Sequence, residues 1–336
     1  MSALNCCFIN AVVLSFRLPA MSNYLRSAVC FLVLFAVVGC NRASLQNRNE
    51  TNAEAQSLSV SNESGLTMRV AEEHAHPSVW ISVAGEPSGE QAVFVLLPEH
   101  VTVRRHGTDQ AEHVYLWRPG QAGPGYQWRR TGNAFEWETD FEPGIHFLAR
   151  VTLEPDGVLY HYEFTNRSEV DFDMVQAVTD PRMLSAMFHD VRLERTYVHT
   201  AQGFVLLASE MPERLTMPLN TWLPNRYRVS FAWPVPSDRV QKQDDGVRFF
   251  NASMRADLPV LATSSTDQRW LMATFSHNPG NLWTNPELTC QHADPDTALL
   301  RKSQAVIEEK TLLFRGVLND VVSKVRQQGA GLKMGL

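Results

Sequence analysis

Between residues 79 and 316 apolar and polar positions alternate over short stretches, each closed by a turn signal, and this two-residue period predicts strands. Over 145–153, Phe147, Ala149, Val151 and Leu153 fall on one side; Glu154-Pro-Asp-Gly157 then makes a turn, and Val158, Tyr160, Tyr162 and Phe164 share a face of the next strand. A second turn at Asn166-Arg-Ser168 leads into Val170-Asp-Phe172-Asp-Met174, so a three-stranded antiparallel meander is expected here. Further strands are expected at 79–83, 91–97, 101–105, 203–208, 226–233, 246–251, 270–276 and 310–316. Only 318–327 has clear helical spacing, through Leu318, Val321, Val322 and Val325, with Asp320 early and Lys324 and Arg326 late to complement the dipole. A short helical turn is also expected over 181–188.

This many strands, without a fixed repeat or a clear linker, predicts an all-β fold: one large antiparallel β-sandwich over 65–327 with a short C-terminal helix, then an unstructured tail over 328–336.

The first residues follow a different pattern. After Arg26 come about a dozen apolar residues ending at Val38, too few for a spanning helix, which needs roughly 20. They close on Val37-Val38-Gly39-Cys40, which resembles the lipobox of bacterial lipoproteins. The resemblance implies a signal peptide over 1–39, cleavage before Cys40, a diacylglyceryl thioether on its sulfur and an acylated amino terminus. Several chains on one residue make a stable membrane anchor, at about 0.8 kcal/mol per buried methylene. Met21-Ser-Asn-Tyr-Leu-Arg26 is an ordinary charged leader, so translation is expected to start at Met21. Residues 40–64 are rich in Asn, Ser, Glu, Gln and Ala and read as a flexible tether, whose span as a random coil is about 25–30 Å. The expected address is the bacterial cell envelope, facing the periplasm or the exterior.

Cleavage sharpens what composition implies. The whole chain has 30 basic and 36 acidic residues; residues 1–39 take away two arginines and no acid, leaving a formal charge of minus 8, which argues against nucleic acid as a partner. Of five cysteines, Cys6, Cys7 and Cys30 precede the cleavage site and Cys40 is lipidated. Cys290 alone remains, so no intrachain disulfide is expected in a compartment that would allow one.

The Asn166-Arg-Ser turn after Leu153-Glu-Pro-Asp-Gly157, a late strand into the loop ending Cys290-Gln-His-Ala-Asp-Pro295, and a closing strand with a short helix together resemble the large galactose-mutarotase-like sandwich, in an arrangement associated with secreted bacterial proteins. The resemblance implies a carbohydrate-related scaffold. The His and Glu that serve catalysis in sugar mutarotases match no positions here, so the activity does not follow from it.

Candidate chemistry concentrates between Phe275 and Asp296, a long polar stretch holding His277, Asn281, Trp283, Asn285, Cys290, His292 and Asp294. If its end is extended, Cys290, His292 and Asp294 project to one face, and His277 could close over them. Thiolate, imidazole and carboxylate suit zinc or a similar metal, although the spacing matches no paired-cysteine zinc pattern. The alternatives are a ligand site without metal, or a buried thiol beside an Asx turn and backbone-bonded histidines. Trp283 flanked by Asn281, Asn285, His277 and His292 has the chemistry to stack on and hydrogen-bond a sugar. A second aromatic group is Trp117, Trp128 and Trp137.

For acid/base catalysis the candidates are Glu99 with His100, His161 with Glu163, and His277 or His292 with Asp294. Asp171 and Asp173 share a face, as calcium ligands can, but outer-strand carboxylates are usually solvated. Arg104-Arg105 and Arg129-Arg130 read as surface cations. With no Gly-x-Ser-x-Gly elbow, His-Glu-x-x-His helix or phosphate loop, serine hydrolase, zincin and nucleotide enzyme are disfavoured. The resulting expectation is an anchored envelope protein that binds a carbohydrate or similar polar ligand and needs no cofactor. A sugar-active enzyme of the epimerase, lyase or glycosidase type and an assembly lipoprotein with a protein partner are the alternatives.

Overall fold

The computed structural model describes residues 58–71, 76–116, 127–210, 226–228, 249–251, 256–277, 279, 282–285 and 288–335. The expected signal peptide, Cys40, most of the expected tether, Trp117, Asn281 and parts of the strands expected at 226–233 and 246–251 lie outside them.

In chain order the strands begin with β1 (Ser59–Ser61), β2 (Leu66–Val70), β3 (Ser78–Val83), β4 (Val93–Arg105), β5 (Glu112–Val114), β6 (Arg129–Thr131) and β7 (Ala134–Phe141). Next come β8 (Ile145–Glu154), β9 (Gly157–Asn166), β10 (Phe172–Arg182), β11 (Thr196–Thr200), β12 (Gly203–Leu206), β13 (Arg226–Arg228) and β14 (Phe249–Asn251). The chain ends with β15 (Ala256–Ser264), β16 (Trp270–Ser276), β17 (Trp283–Asn285), β18 (Cys290–His292), β19 (Asp296–Leu299), β20 (Gln304–Arg315), the helix α1 (Leu318–Gln328) and β21 (Met334–Gly335).

These strands form two sheets, and the fold is an all-β sandwich. One sheet of eleven strands runs β1-β2-β3-β4-β10-β18-β17-β13-β14, with β5 on β4 and β19 on β10; the other, of ten, runs β12-β11-β15-β16-β20-β9-β8-β7-β6, with β21 on β20. The alternation read from the sequence sets which side faces the partner sheet. Phe147, Tyr160, Tyr162 and Phe164 of β8 and β9 are buried against Val79, Ile81, Val95 and Ala177 of the eleven-stranded sheet. The β8–β9 loop is only Pro155 and Asp156, and Gly157 is required after it: a Cβ there would lie 2.1 Å from the Thr311 carbonyl oxygen of β20.

Four expectations change. The third strand of the meander belongs to the other sheet, because Asn166 donates to the carbonyls of Val170 and Leu300 and the chain crosses the sandwich into β10, which pairs with β4. The helical turn expected over 181–188 is shorter and later: Pro181 and Arg182 complete β10, and a single turn follows in which the Phe188 and His189 amides donate to the Ser185 carbonyl. Residues 329–331 form a 3-10 turn and β21 pairs with Val306 and Ile307, so the segment expected as an unstructured tail is part of the fold. At the other end, β1 extends the sheet to residue 59, inside the expected tether.

Candidate functional site

Strand alternation sorts the polar residues of the eleven-stranded sheet. In β18, Gln291 donates to Thr263 of β15 in the other sheet at 2.8 Å, so Cys290 and His292 point to the opposite, outer face. In β10, Thr179 meets Tyr162 of β9 at 2.8 Å, which turns Asp180 and Arg182 outwards in the same way. The strands β4, β10, β18 and β17 are consecutive neighbours, so this outer face collects residues from four places in the chain. The register of β4 on β10 slips between Val178 and Asp180, and the resulting bulge at Leu97–Glu99 sets Glu99 and His100 beside the same group.

The deeper layer is His292, Asp294, Asp180 and Cys290, all at most 2% exposed. The Nδ1 of His292 lies 3.3 Å from Asp294 Oδ1, and its Nε2 lies 3.2 Å from Cys290 Sγ and 3.5 Å from Asp180 Oδ1. Trp283, directly across in β17, stacks on the imidazole at 3.8 Å and donates its indole N–H to Asp294 Oδ2 at 3.2 Å. Arg182 donates from Nε to Asp180 Oδ2 at 2.6 Å, while Asp180 Oδ1 has no hydrogen-bond partner.

The shallower layer is partly open. Side chains of Glu99 and Arg182 are 31% and 22% exposed, with an N–O distance of 3.4 Å between them. His100 Nδ1 stands 3.8 Å from Glu99 Oε2, and its ring meets those of His113 and Tyr115.

Burial and charge pull these groups in different directions. Burial, reinforced by His113, pushes His100 down to about 4, so it is neutral at pH 7. For His292 burial acts downwards but is outweighed by Cys290, Asp294 and Asp180, which hold it well above its ordinary value. Asp180 would be raised by burial, yet His292 and Arg182 hold it at about 2. Behind the sheet, Glu309 of β20 is fully buried, and burial together with Asp294 raises it well above the usual carboxylate range, outweighing the opposing effect of Thr179, His292 and the Ala293 amide.

No family model and no curated protein matches the chain. Among solved structures it is similar to an α-N-acetylgalactosaminidase from Bifidobacterium bifidum in complex with GalNAc (13% identity, TM-score 0.41), covering 80% of this chain and 38% of that one. It is also similar to the Slr1438 protein of Synechocystis sp. (11%, TM-score 0.42, 78% of this chain and 93% of that one). A third is an Escherichia coli protein assigned as an aldose 1-epimerase (8%, TM-score 0.38, 75% and 97%). The chain thus spans well under half the length of the first of these. No residue, ligand or activity passes from them to this chain.

The residues singled out in the sequence are sorted by the fold. Cys290, His292 and Asp294 do come together, with Trp283 beside them, but Trp283 presents a ring face to His292. His277 does not join them: it is exposed at the end of β16, in the other sheet, and its Nδ1 lies 3.2 Å from the Gly329 carbonyl oxygen. Asn285 lies in β17 opposite Cys290. Trp137 is a core residue rather than a ligand platform, and Trp128 packs edge-on to Phe135. Asp171 and Asp173 are taken by Arg301 and His106, and Arg129 forms a bidentate pair with Glu138. Asp180 and Arg182 do not stand out in the sequence; an acid and a base two residues apart, directly after Val175-Gln-Ala-Val-Thr179, are the available signal.

His161 is structural. Its two nitrogens contact Glu308 at 2.6 Å and Glu163 at 2.8 Å, on the outer face of the ten-stranded sheet. Burial alone would lower His161, but the bonds to Glu308 and Glu163 outweigh it and raise it above its ordinary 6.5. Glu308 would be raised by burial and is instead held below its ordinary 4.5, chiefly by His161. The stabilisation from the histidine is complete below 6.5 and is lost as pH rises through its raised folded value; that from Glu308 is present above 4.5 and lost in acid. Urea unfolding of wild type and His161→Gln should therefore differ most between pH 4.5 and 6.5, with the gap shrinking in alkali. A gap that is constant from pH 5 to 9 would show that the charged pair contributes nothing.

Proposed function

We propose that this chain is a lipid-anchored protein of the bacterial envelope that binds a carbohydrate or similar polar ligand on the outer face of the eleven-stranded sheet, and that its scaffold is of the galactose-mutarotase-like kind. The observation that carries the reading is the pair of layers on that face. Half-open Glu99, Arg182 and His100 supply acceptors and donors, above a wholly buried His292–Asp294–Asp180 layer that fixes their positions. A sheet surface evolved only for solvent would not bury three charged side chains beneath such groups without a compensating use. The anchor at Cys40 is proposed from the lipobox; no helix among the described residues is long and apolar enough to cross a membrane.

The test is a glycan array probed with the full mature chain in detergent, with Glu99→Gln and Tyr115→Ala beside it. A hydrogen bond to a charged group contributes about 1.5–3 kcal/mol, so Glu99→Gln should weaken a specific hit about 10- to 100-fold. Either a blank array or a hit indifferent to both changes ends the reading.

The enzyme reading keeps one specific observation, the carboxylate of Glu99 and the imidazole of His100 side by side at the same opening. Turnover of the bound sugar that disappears in His100→Gln while binding persists would favour it over a binding module.

A further inference from the structure

Three ligand-type atoms converge in the deeper layer. Asp180 Oδ1, Cys290 Sγ and His292 Nε2 all lie within 4.8 Å of one another, and each residue is buried. From these atoms we infer a binding site for a zinc-type divalent transition metal, coordinated by Asp180, Cys290 and His292. The inference is independent of the carbohydrate reading.

The distances carry it first. With metal–nitrogen and metal–oxygen bonds of about 2.0–2.1 Å and a metal–sulfur bond of about 2.3 Å, a tetrahedral centre separates N from O by about 3.4 Å and N from S by about 3.6 Å. The observed separations are 3.5 Å for His292 Nε2 to Asp180 Oδ1 and 3.2 Å for Nε2 to Cys290 Sγ. Hydrogen bonding accounts for the same atoms poorly. One imidazole nitrogen carries at most one proton, yet it faces both a sulfur and a carboxylate oxygen, and 3.5 Å is too long for a good N–H···O bond. Asp180 Oδ1 is accordingly left without a hydrogen-bond partner, although its side chain is only 2% exposed and the atom lies within 4.8 Å of both Cys290 Sγ and His292 Nε2. A cation there satisfies all three.

The surroundings have the form of an outer coordination shell. Asp294 Oδ1 accepts a hydrogen bond from the Nδ1–H of His292, which leaves Nε2, on the side of Cys290 and Asp180, as the nitrogen that would ligate the ion. Trp283 holds Asp294 by its indole N–H and the imidazole by stacking. Arg182 occupies Asp180 Oδ2, leaving Oδ1 as the single ligating oxygen, and its charge is shared with Glu99. One thiolate, one imidazole and one carboxylate suit zinc or cobalt better than calcium or magnesium, which take oxygen ligands. Spacing in the sequence suggested Cys290, His292 and Asp294 as the ligand set; the fold puts Asp180 in the first shell and Asp294 behind the histidine.

The test uses the full chain in detergent, measured for zinc as purified, then stripped with chelator and titrated with Co2+. The expected result is saturation at one equivalent, with a near-ultraviolet sulfur-to-cobalt charge-transfer band and the intense visible bands of a tetrahedral ion. Cys290→Ser should abolish the charge-transfer band, and Asp294→Asn should weaken binding about 10- to 100-fold. Asp180→Asn should weaken it at least as much. Circular dichroism of each variant separates loss of metal from loss of fold; should a variant unfold, the wild-type titration decides alone. Absence of any sulfur-to-cobalt band in wild type overturns the inference, and the site is then a protonated histidine among acids. A band that persists unchanged in Asp180→Asn and Asp294→Asn overturns it too, by placing the ion elsewhere.

Discussion

Trp137→Ala is expected to lower the unfolding free energy by about 4–5 kcal/mol, at the top of the range for removing a large aromatic side chain from a core. Trp137 sits in β7 with no exposed surface, packed tilted against Phe147 with ring centroids 5.6 Å apart. Its indole N–H crosses the sandwich to the Leu97 carbonyl oxygen in β4, 3.0 Å away. Truncation therefore opens a cavity between the sheets and also leaves a buried carbonyl without its donor, which by itself costs about 1–3 kcal/mol. Trp137→Phe keeps most of the packing and loses the bond, so its cost should be nearer the second figure alone. Leu97 begins the bulge that places Glu99 and His100, which ties this core residue to the proposed ligand face. Urea unfolding decides it: the midpoint should fall with the slope unchanged. A loss under about 1 kcal/mol for the alanine variant would mean that the cavity collapses and the inter-sheet bond carries little.

How far the sequence discloses all this depends on the range of the signal. Strands β8, β9 and β16 are readable because each has a local cue, an apolar side every second residue and a turn at either end, and β16 falls at 270–276 as expected. Strand β10 is readable only at its start, 172–174, since Asp180-Pro181-Arg182 looks like the start of a helix when read locally. Pro181 pairs with Val95 just beyond the slip in register that separates Val178 from Asp180. In β15 the interior Pro259 hides a nine-residue strand in the same way. The site follows the same rule. Cys290, His292 and Asp294 are two residues apart and their common face follows from strand period alone. Their partner Asp180 is more than a hundred residues away, and only the antiparallel pairing of Arg182 with Cys290 brings it in. His277 fails for the converse reason: it is near in sequence, but β16 belongs to the ten-stranded sheet and leads towards α1.

Asp156→Ala is expected to cost about 2–3 kcal/mol at neutral pH, below the 3–5 kcal/mol of a buried ion left with no partner. Lys310, in the middle strand β20, is only 4% exposed along its side chain, and its ammonium is held by Asp156 at 2.8 Å, Glu154 at 2.5 Å and Gln328 at 2.5 Å. Asp156 also accepts from Lys324 at 2.6 Å and Gln328 at 2.9 Å, so one carboxylate in the β8–β9 loop ties down both ends of α1's last turn. The group borders an open cleft of about 730 Å³ on this side of the ten-stranded sheet. In Asp156→Ala, Glu154 and Gln328 still face Lys310, which is why the full penalty is not reached, but Lys324 loses its anchor and Gln328 keeps only its bond from Lys310. Hydrogen exchange should accordingly rise in α1 and β21 before it rises in β20. Acidity supplies the second check. Burial would raise Asp156, but the bonds from Lys310, Lys324 and Gln328 outweigh it and hold the carboxyl at about 2, below its ordinary 3.8. Its contribution is thus present above 3.8 and lost as pH falls through about 2, so the gap between wild type and variant should be full at pH 7 and close in strong acid. A gap that survives undiminished at pH 2 would assign the effect to lost packing around the loop, and not to the carboxylate's charge.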